Sequence, residues 1–216
     1  MTTAAIVLLV VAGGFAVGDW VAVERANRRL EYWCKPAATA AFLLAAATLR
    51  ASVGPTQACF VVALALCWCG DVFLMLPPDA RGRDRFVPGL GSFFLAQIAF
   101  AIGFALRGGP IWGYALGAVL AAAVAAPLGA RFVTALRRAG RASLVAPVVA
   151  YLLAISTMAA TAVGGGNGWG IAGAALFMAS DALIAETRFV RVRRGAAVAI
   201  MVTYHLALAG LVVSLV

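Results

Sequence analysis

Asp19, Asp71 and Asp181 are carboxylates set inside apolar runs of this 216-residue sequence, and other apolar runs carry Gln97, Tyr151, Tyr204 and His205. Ionisable groups in lipid are costly, so each is a candidate for function. Two carboxyls close together in an apolar setting cannot both ionise easily and share a proton, which leaves one acid and one base. Such a pair can protonate a substrate while activating water, as in hydrolysis of acetal-like bonds. It can equally move a proton across a membrane in exchange for a solute, so a proton-coupled carrier using the same aspartates stands as the alternative. The same residues also suit a hydrogen-bond network that only ties helices together, with Gly70 and Ser180 beside the aspartates allowing close approach.

The common hydrolase, protease and nucleotide chemistries lack a basis here: the chain has no nucleophile-serine elbow, HExxH helix, Walker loop or GxGxxG after a strand. Cys34, Cys59, Cys67 and Cys69 lie in or at the ends of apolar runs and read as small buried residues. With one histidine in the chain, no soft ligand set can be assembled, so neither a metal nor another cofactor is expected.

These side chains must be held by membrane-spanning helices. The sequence is 64% hydrophobic and 12% charged, too little polar surface to coat a soluble globule. Apolar runs at about 4–23, 36–52, 56–77, 88–106, 110–130, 143–163, 168–187 and 195–215 predict an all-α bundle of eight transmembrane helices. They fill a single polytopic domain over 1–216. The first run has no basic residue before it and no small-residue cleavage site, so it is expected to stay as a helix.

Net charge is +9, but the basic residues sit in short gaps between apolar runs, so nucleic acid is not an expected partner. Arg25, Arg28, Arg29 and Lys35 fall in the first connection, Arg81, Arg83 and Arg85 in the third. Arg131, Arg137, Arg138 and Arg141 fall in the fifth, and Arg188, Arg191, Arg193 and Arg194 in the seventh. Only Arg50 and Arg107 lie in even connections. The positive-inside rule puts the odd connections in the cytoplasm and both termini outside. Arginine and alanine excess is the composition of a GC-rich bacterial genome, which points to a bacterial inner membrane.

Counted from the cytoplasmic ends of their spans, Asp19, Asp71 and Asp181 lie at depths of roughly 8–10 Å, Tyr151 near 12 Å, and Gln97, Tyr204 and His205 at roughly 14–15 Å. This shared layer predicts a pocket opening to the cytoplasm. Gly70-Asp71 in the third span and Ser180-Asp181 in the seventh, each followed by a basic connection with Phe-Val, form a faint repeat. Four spans apart, it fits two parallel four-helix halves.

Further residues carry a resemblance. Tyr32 to Pro36, Gly70-Asp71-Val72-Phe73-Leu74-Met75-Leu76-Pro77, Phe86 and Gly89 before Phe93-Phe94-Leu95-Ala96, Tyr151-Leu152-Leu153 with Met158, Ser180-Asp181 and Thr203-Tyr204 resemble the YhhN family of membrane proteins, from about residue 30 to the end. Members with a known activity are lysoplasmalogenases, which hydrolyse the vinyl-ether bond of lysoplasmalogen to a fatty aldehyde and a glycerophospho-headgroup. The resemblance thus implies a lysophospholipid substrate among membrane lipids. Asp71 and Asp181 are cast as acid and base in either order, with Tyr204 and His205 beside them. Asp19, Lys35, Gln97 and Tyr151 are the expected substrate-binding residues, Lys35 and nearby arginines holding the headgroup phosphate. The chain departs from the family pattern at Gln97, where a His is usual, at Phe100, near a usual Tyr, and at Leu208, where a Gln is usual. A histidine from the last span, His205, is a candidate to compensate for the one missing at Gln97.

Overall fold

The computed structural model describes residues 1–49, 54–78 and 85–216. Among them are eight α-helices: α1 (Thr3–Glu24), α2 (Arg28–Thr48), α3 (Pro55–Met75), α4 (Phe86–Ala105), α5 (Ile111–Arg138), α6 (Val145–Gly164), α7 (Gly168–Ala185) and α8 (Ala196–Val213). The chain is all-helical there. Arg50, Arg81 and Arg83, and the end of the expected 36–52 run, lie outside the described residues.

Seven helices are long and apolar enough to cross a membrane, and α2 is not one of them. This differs from the eight expected spans for a physical reason. Helix α2 starts at Arg28, where Asn27 caps it by accepting from the Leu30 N–H at 3.2 Å, so Arg28, Arg29, Glu31 and Lys35 lie within the helix rather than in a connection. Its apolar part, Pro36–Thr48, is short for a bilayer crossing. Pro36 inside α2 has no N–H to donate, and its carbonyl accepts from the Trp68 indole on α3 at 3.1 Å. Tyr32 donates to the Met75 carbonyl at 2.9 Å, a second tie between the same helices. Helix α5 also outruns the expected 110–130, because Arg131, Arg137 and Arg138 continue it.

Consecutive helices pack as hairpins: α1 on α2, α3 on α4, α5 on α6, α7 on α8. Contacts of α2 with α3, α4 with α6, α6 with α7 and α8 with α1 close seven helices into a ring, with α5 outside against α6. Small residues allow the closest crossings. A Cβ on Gly173 of α7 would stand 2.8 Å from the Leu211 backbone nitrogen of α8.

Among the described residues, the hairpins gather most of the basic side chains at one end of the bundle. Phe86 at the start of α4 meets Phe189 beyond α7 edge-on at 5.9 Å. Arg131 of α5 pairs with Glu186, which opens a π-helical turn, Glu186–Val190, after α7. At the opposite end Thr2 donates to the Thr48 carbonyl at 2.6 Å, and Arg107 to Ser214 Oγ at 3.4 Å. Exposed Trp33 lies near the basic end, and exposed Trp112 and Trp169 near the other. Tryptophan at both ends of a bundle is the pattern of an interfacial belt. The chain is a multi-pass helical membrane protein.

Candidate active site

Asp71 stands one turn before the end of α3, and Gly70 makes room beside it: a Cβ there would lie 2.6 Å from the Phe93 ring of α4. The Asp71 Oδ2 accepts from Thr39 Oγ1 at 2.7 Å and from the Tyr204 hydroxyl at 2.8 Å. Lys35 Nζ lies 3.4 Å from Oδ1. Lys35 and Thr39 are four residues apart and so share a face of α2. All four residues are buried, with Asp71 1% exposed and Lys35 6%. A buried charge persists where it is paired and hydrogen-bonded, and this carboxylate has both.

Asp181 of α7 is built differently. It is half-buried and accepts a hydrogen bond from the Tyr151 hydroxyl of α6. Tyr151 in turn lies 3.4 Å from Gln97 Nε2 of α4, which donates to it. Ser180 points the other way and donates to the Ile200 carbonyl at 3.1 Å, fixing α7 on α8. Among the described residues, Asp181 and Tyr151 are the polar side chains lining a narrow cleft of about 70 Å³. The other walls are apolar, among them Phe93, Phe132, Ile155 and Met178. A largely apolar cleft with a few convergent polar groups is the usual form of a small-molecule site.

Three rings link the cleft to the Asp71 site. Phe93, Phe177 and Tyr204 meet edge-on, with centroids 5.6 to 6.2 Å apart. Phe93 lines the cleft while Tyr204 holds Asp71. Cys67, one turn before Asp71 on α3, is within electrostatic reach of both aspartates. Among the described residues no hydrogen bond joins Asp71 to Asp181, and each carboxyl has its own hydroxyl partners.

A third group lies where α1 meets α8. The Trp20 indole donates to His205 Nδ1 at 3.0 Å, so the ring proton of that neutral tautomer is on Nε2. His205 Nε2, both oxygens of Asp19 and Gln97 Oε1 are buried with no hydrogen-bond partner among the described residues. Asp19 is 0% exposed, with Lys35 the cation in its electrostatic reach.

The expected residues thus converge on the bundle interior from each of the seven ring helices but divide into three groups. Lys35 lies buried beside Asp71. Gln97 and His205 bond to different groups, Tyr151 and Trp20. Phe100 and Leu208 are fully buried in the apolar core.

Sequence reasoning missed several partners. Thr39 was legible as the residue four after Lys35, and Trp20 as the neighbour of Asp19. Glu186 was legible in hindsight as a lone acid among arginines. It accepts from Arg131 at 2.9 and 2.7 Å and from Arg193 at 3.4 Å.

The YhhN family profile matches residues 30–215. A protein of Mycobacterium bovis named lysoplasmalogenase is 33% identical over 172 residues, which is 77% of this chain and 64% of that relative. A Mycobacterium tuberculosis protein of the same name matches equally, with 33% identity over 172 residues and the same shares of both chains. The chain therefore covers less than two thirds of the length of these relatives. No solved structure matches it. The family match begins after α1, so Asp19 and Trp20 fall outside the shared region and the other site residues fall within it. By this match over most of its length, the chain belongs to the YhhN family.

Proposed function

We propose that this protein is a membrane-embedded hydrolase of the vinyl-ether bond of lysoplasmalogen or a related ether lysolipid, acting through Asp181. The observation that carries this reading is the apolar cleft whose polar lining is Asp181 and Tyr151. Apolar walls suit an alkenyl chain in kind, and its ether end would meet the carboxyl.

Asp181, as the carboxylic acid, gives its proton to the alkenyl carbon remote from the oxygen, leaving an oxocarbenium ion. The carboxylate left behind takes a proton from the water that adds to the cationic carbon. The hemiacetal so formed collapses, its hydroxyl proton passing to the glycerol oxygen, and releases fatty aldehyde and the glycerophospho-headgroup. Tyr151 orients Asp181, and Gln97 orients Tyr151. Asp71, held by Lys35, Thr39 and Tyr204 and not among the residues lining the cleft, acts as a positioning charge rather than at the reacting atoms. His205 and Asp19 belong to the α1–α8 contact and stand off the cleft.

The family membership and the relatives' printed name support this activity. In the same reading all eight helices lie in the membrane as one domain, α2 sheltered between α1 and α3. The two four-helix halves run parallel, both termini face outside, and the basic end faces the cytoplasm of a bacterial cell. Phe86 and Phe189, which line the cleft at the basic end of the bundle, then put it toward the cytoplasmic side.

Carrying out the reaction in deuterium oxide tests the chemistry. Proton transfer to carbon leaves one deuterium on carbon 2 of the released aldehyde and slows turnover about twofold or more if that transfer limits the rate. Aldehyde without deuterium at carbon 2 would exclude protonation of the double bond.

A further inference from the structure

The cleft beside Asp181 measures about 70 Å³. A cavity of about 150 Å³ holds a benzene ring, so an alkenyl chain enters only if a wall gives way. Leu128 and Phe132 of α5 form one wall, and Asp181, Ala182 and Ala185 of α7 form another. Of the helices that line the cleft, α5 is the one outside the ring. Among the described residues it packs on α6, on the connection between them and on the turn Glu186–Val190.

The two halves of α5 are held differently. Before Pro127, backbone meets backbone: a Cβ on Gly117 would strike the Ala160 carbonyl, and one on Gly113 would lie 3.4 Å from the Gly164 Cα, so this half is fixed to α6. Beyond Pro127 the contacts are through side chains. A Cβ on Gly129 would meet the Leu152 side chain at 2.9 Å, and Phe132 and Leu136 pack with Val148, Ala185 and Phe189 in a small cluster apart from the main core. Pro127 has no N–H to give the Ala123 carbonyl, which leaves a weakened joint where bending of the helix concentrates.

A polar tie runs from the half beyond Pro127 to the end of α7. Arg131 donates to both oxygens of Glu186, at 2.9 and 2.7 Å. Arg191 and Arg193, in the connection to α8, lie 3.5 and 3.4 Å from the same carboxylate and steady it. A forked guanidinium–carboxylate pair fixes one geometry, yet the Arg131 side chain is 47% exposed and can let go into water at small cost. Exposed Leu116, Val119 and Val124 set the outer face of α5 in lipid. A gap between α5 and α7 therefore opens toward the membrane, and a chain passes from bilayer to cleft without leaving an apolar medium.

We propose that the seam between α5 and α7 is the entrance by which a single-chain lipid reaches the Asp181 cleft from the membrane, with Pro127 as its joint and the Arg131–Glu186 pair as its latch. The class of lipid rests on the hydrolase reading, but entry is measured apart from turnover.

The probe is tritiated 1-O-alkyl-lysophosphatidylcholine, whose saturated ether has no double bond to protonate. Its rate of uptake is followed for the detergent-purified full chain, for Glu186→Gln, and for Arg131→Cys/Glu186→Cys before and after bridging by a bifunctional methanethiosulfonate reagent. The parent treated with the same reagent controls for its own cysteines. Both latch variants are expected to take up the lipid about threefold to tenfold faster than the parent. The bridged variant is expected to be slower by tenfold or more, and reduction of the bridge to restore the fast rate. Pro127→Ala, which returns the missing N–H to α5, is expected to slow uptake. A bridged variant as fast as its reduced form, or latch variants no faster than the parent, would overturn the entrance, and so would a parent that takes up none of this lipid. Aldehyde release from lysoplasmalogen judges the hydrolase reading separately. Uptake controlled by the latch without aldehyde keeps the entrance and loses the reaction, and aldehyde release indifferent to the bridge does the reverse.

Discussion

Asp71 and Asp181 hold like places in two hairpins, α3–α4 and α7–α8, each just after a small residue, yet their surroundings differ in every respect that matters for chemistry. Asp71 is sealed, faces the Lys35 ammonium and accepts from two hydroxyls. Asp181 is half-buried, accepts from one hydroxyl and lines the cleft. A carboxylate locked against a buried cation contributes to the fold and is poorly placed to give up or take a proton. A carboxyl with a single hydroxyl partner and an open side can do both. Partner charge and access, more than position in an apolar run, distinguish the two carboxyls.

The largest expected effect is on activity. Asp181→Asn should lower aldehyde release by a hundredfold to ten-thousandfold, about the worth of a general acid–base, while thermal unfolding in detergent stays close to the parent. Next comes stability. Asp71→Asn leaves the Lys35 charge without its carboxylate and should cost about 3–5 kcal/mol, the usual penalty for breaking a buried pair. Adding Lys35→Met should restore most of that loss, a coupling that a double-mutant cycle of unfolding midpoints reads directly. If the single variant melts like the parent, the buried pair is not what holds α2 on α3.

Smaller effects sharpen the comparison further. Tyr151→Phe removes the hydroxyl that orients Asp181 and should reduce kcat about tenfold or more, with a stability loss of about 1 kcal/mol. Thr39→Val, the matching change on the Asp71 side, should cost about 1–2 kcal/mol in stability and leave turnover within about twofold. At the far side of the bundle, Trp20→Phe withdraws the donor to His205 Nδ1, and a stability loss of about 1 kcal/mol without a change in turnover is expected.

The apolar runs made the helical class legible, and the choice of residues in costly positions found most of the interior polar groups. Seven of the helix positions followed from hydropathy because lipid leaves the backbone no alternative. The start of helix α2 did not, since Arg28, Arg29 and Glu31 read as a connection before the 36–52 run while Asn27 and the contacts of Tyr32 and Trp68 with the rest of the bundle make them helical. Depth along each span placed Asp71, Asp181 and Tyr151 in one layer, but depth is one coordinate. Which helix faces which decides that Tyr151 meets Asp181 and that Tyr204 meets Asp71, and a linear pattern does not carry that azimuth. The grouping of Glu186 with Arg131 and Arg193 depends on the π-helical turn, which no spacing rule announces.

The most direct measurement compares aldehyde release from lysoplasmalogen by the folded parent, by Asp181→Asn, and by the Lys35→Met/Asp71→Asn double variant that removes the buried pair together. The parent is expected to release aldehyde. The double variant should retain about a tenth or more of that rate, and Asp181→Asn about a thousandth or less. Equal loss in the two variants, both folded, would place Asp71 at the reacting atoms and contradict the division between a structural and a reactive carboxyl, and a parent that releases no aldehyde would contradict the assigned reaction itself.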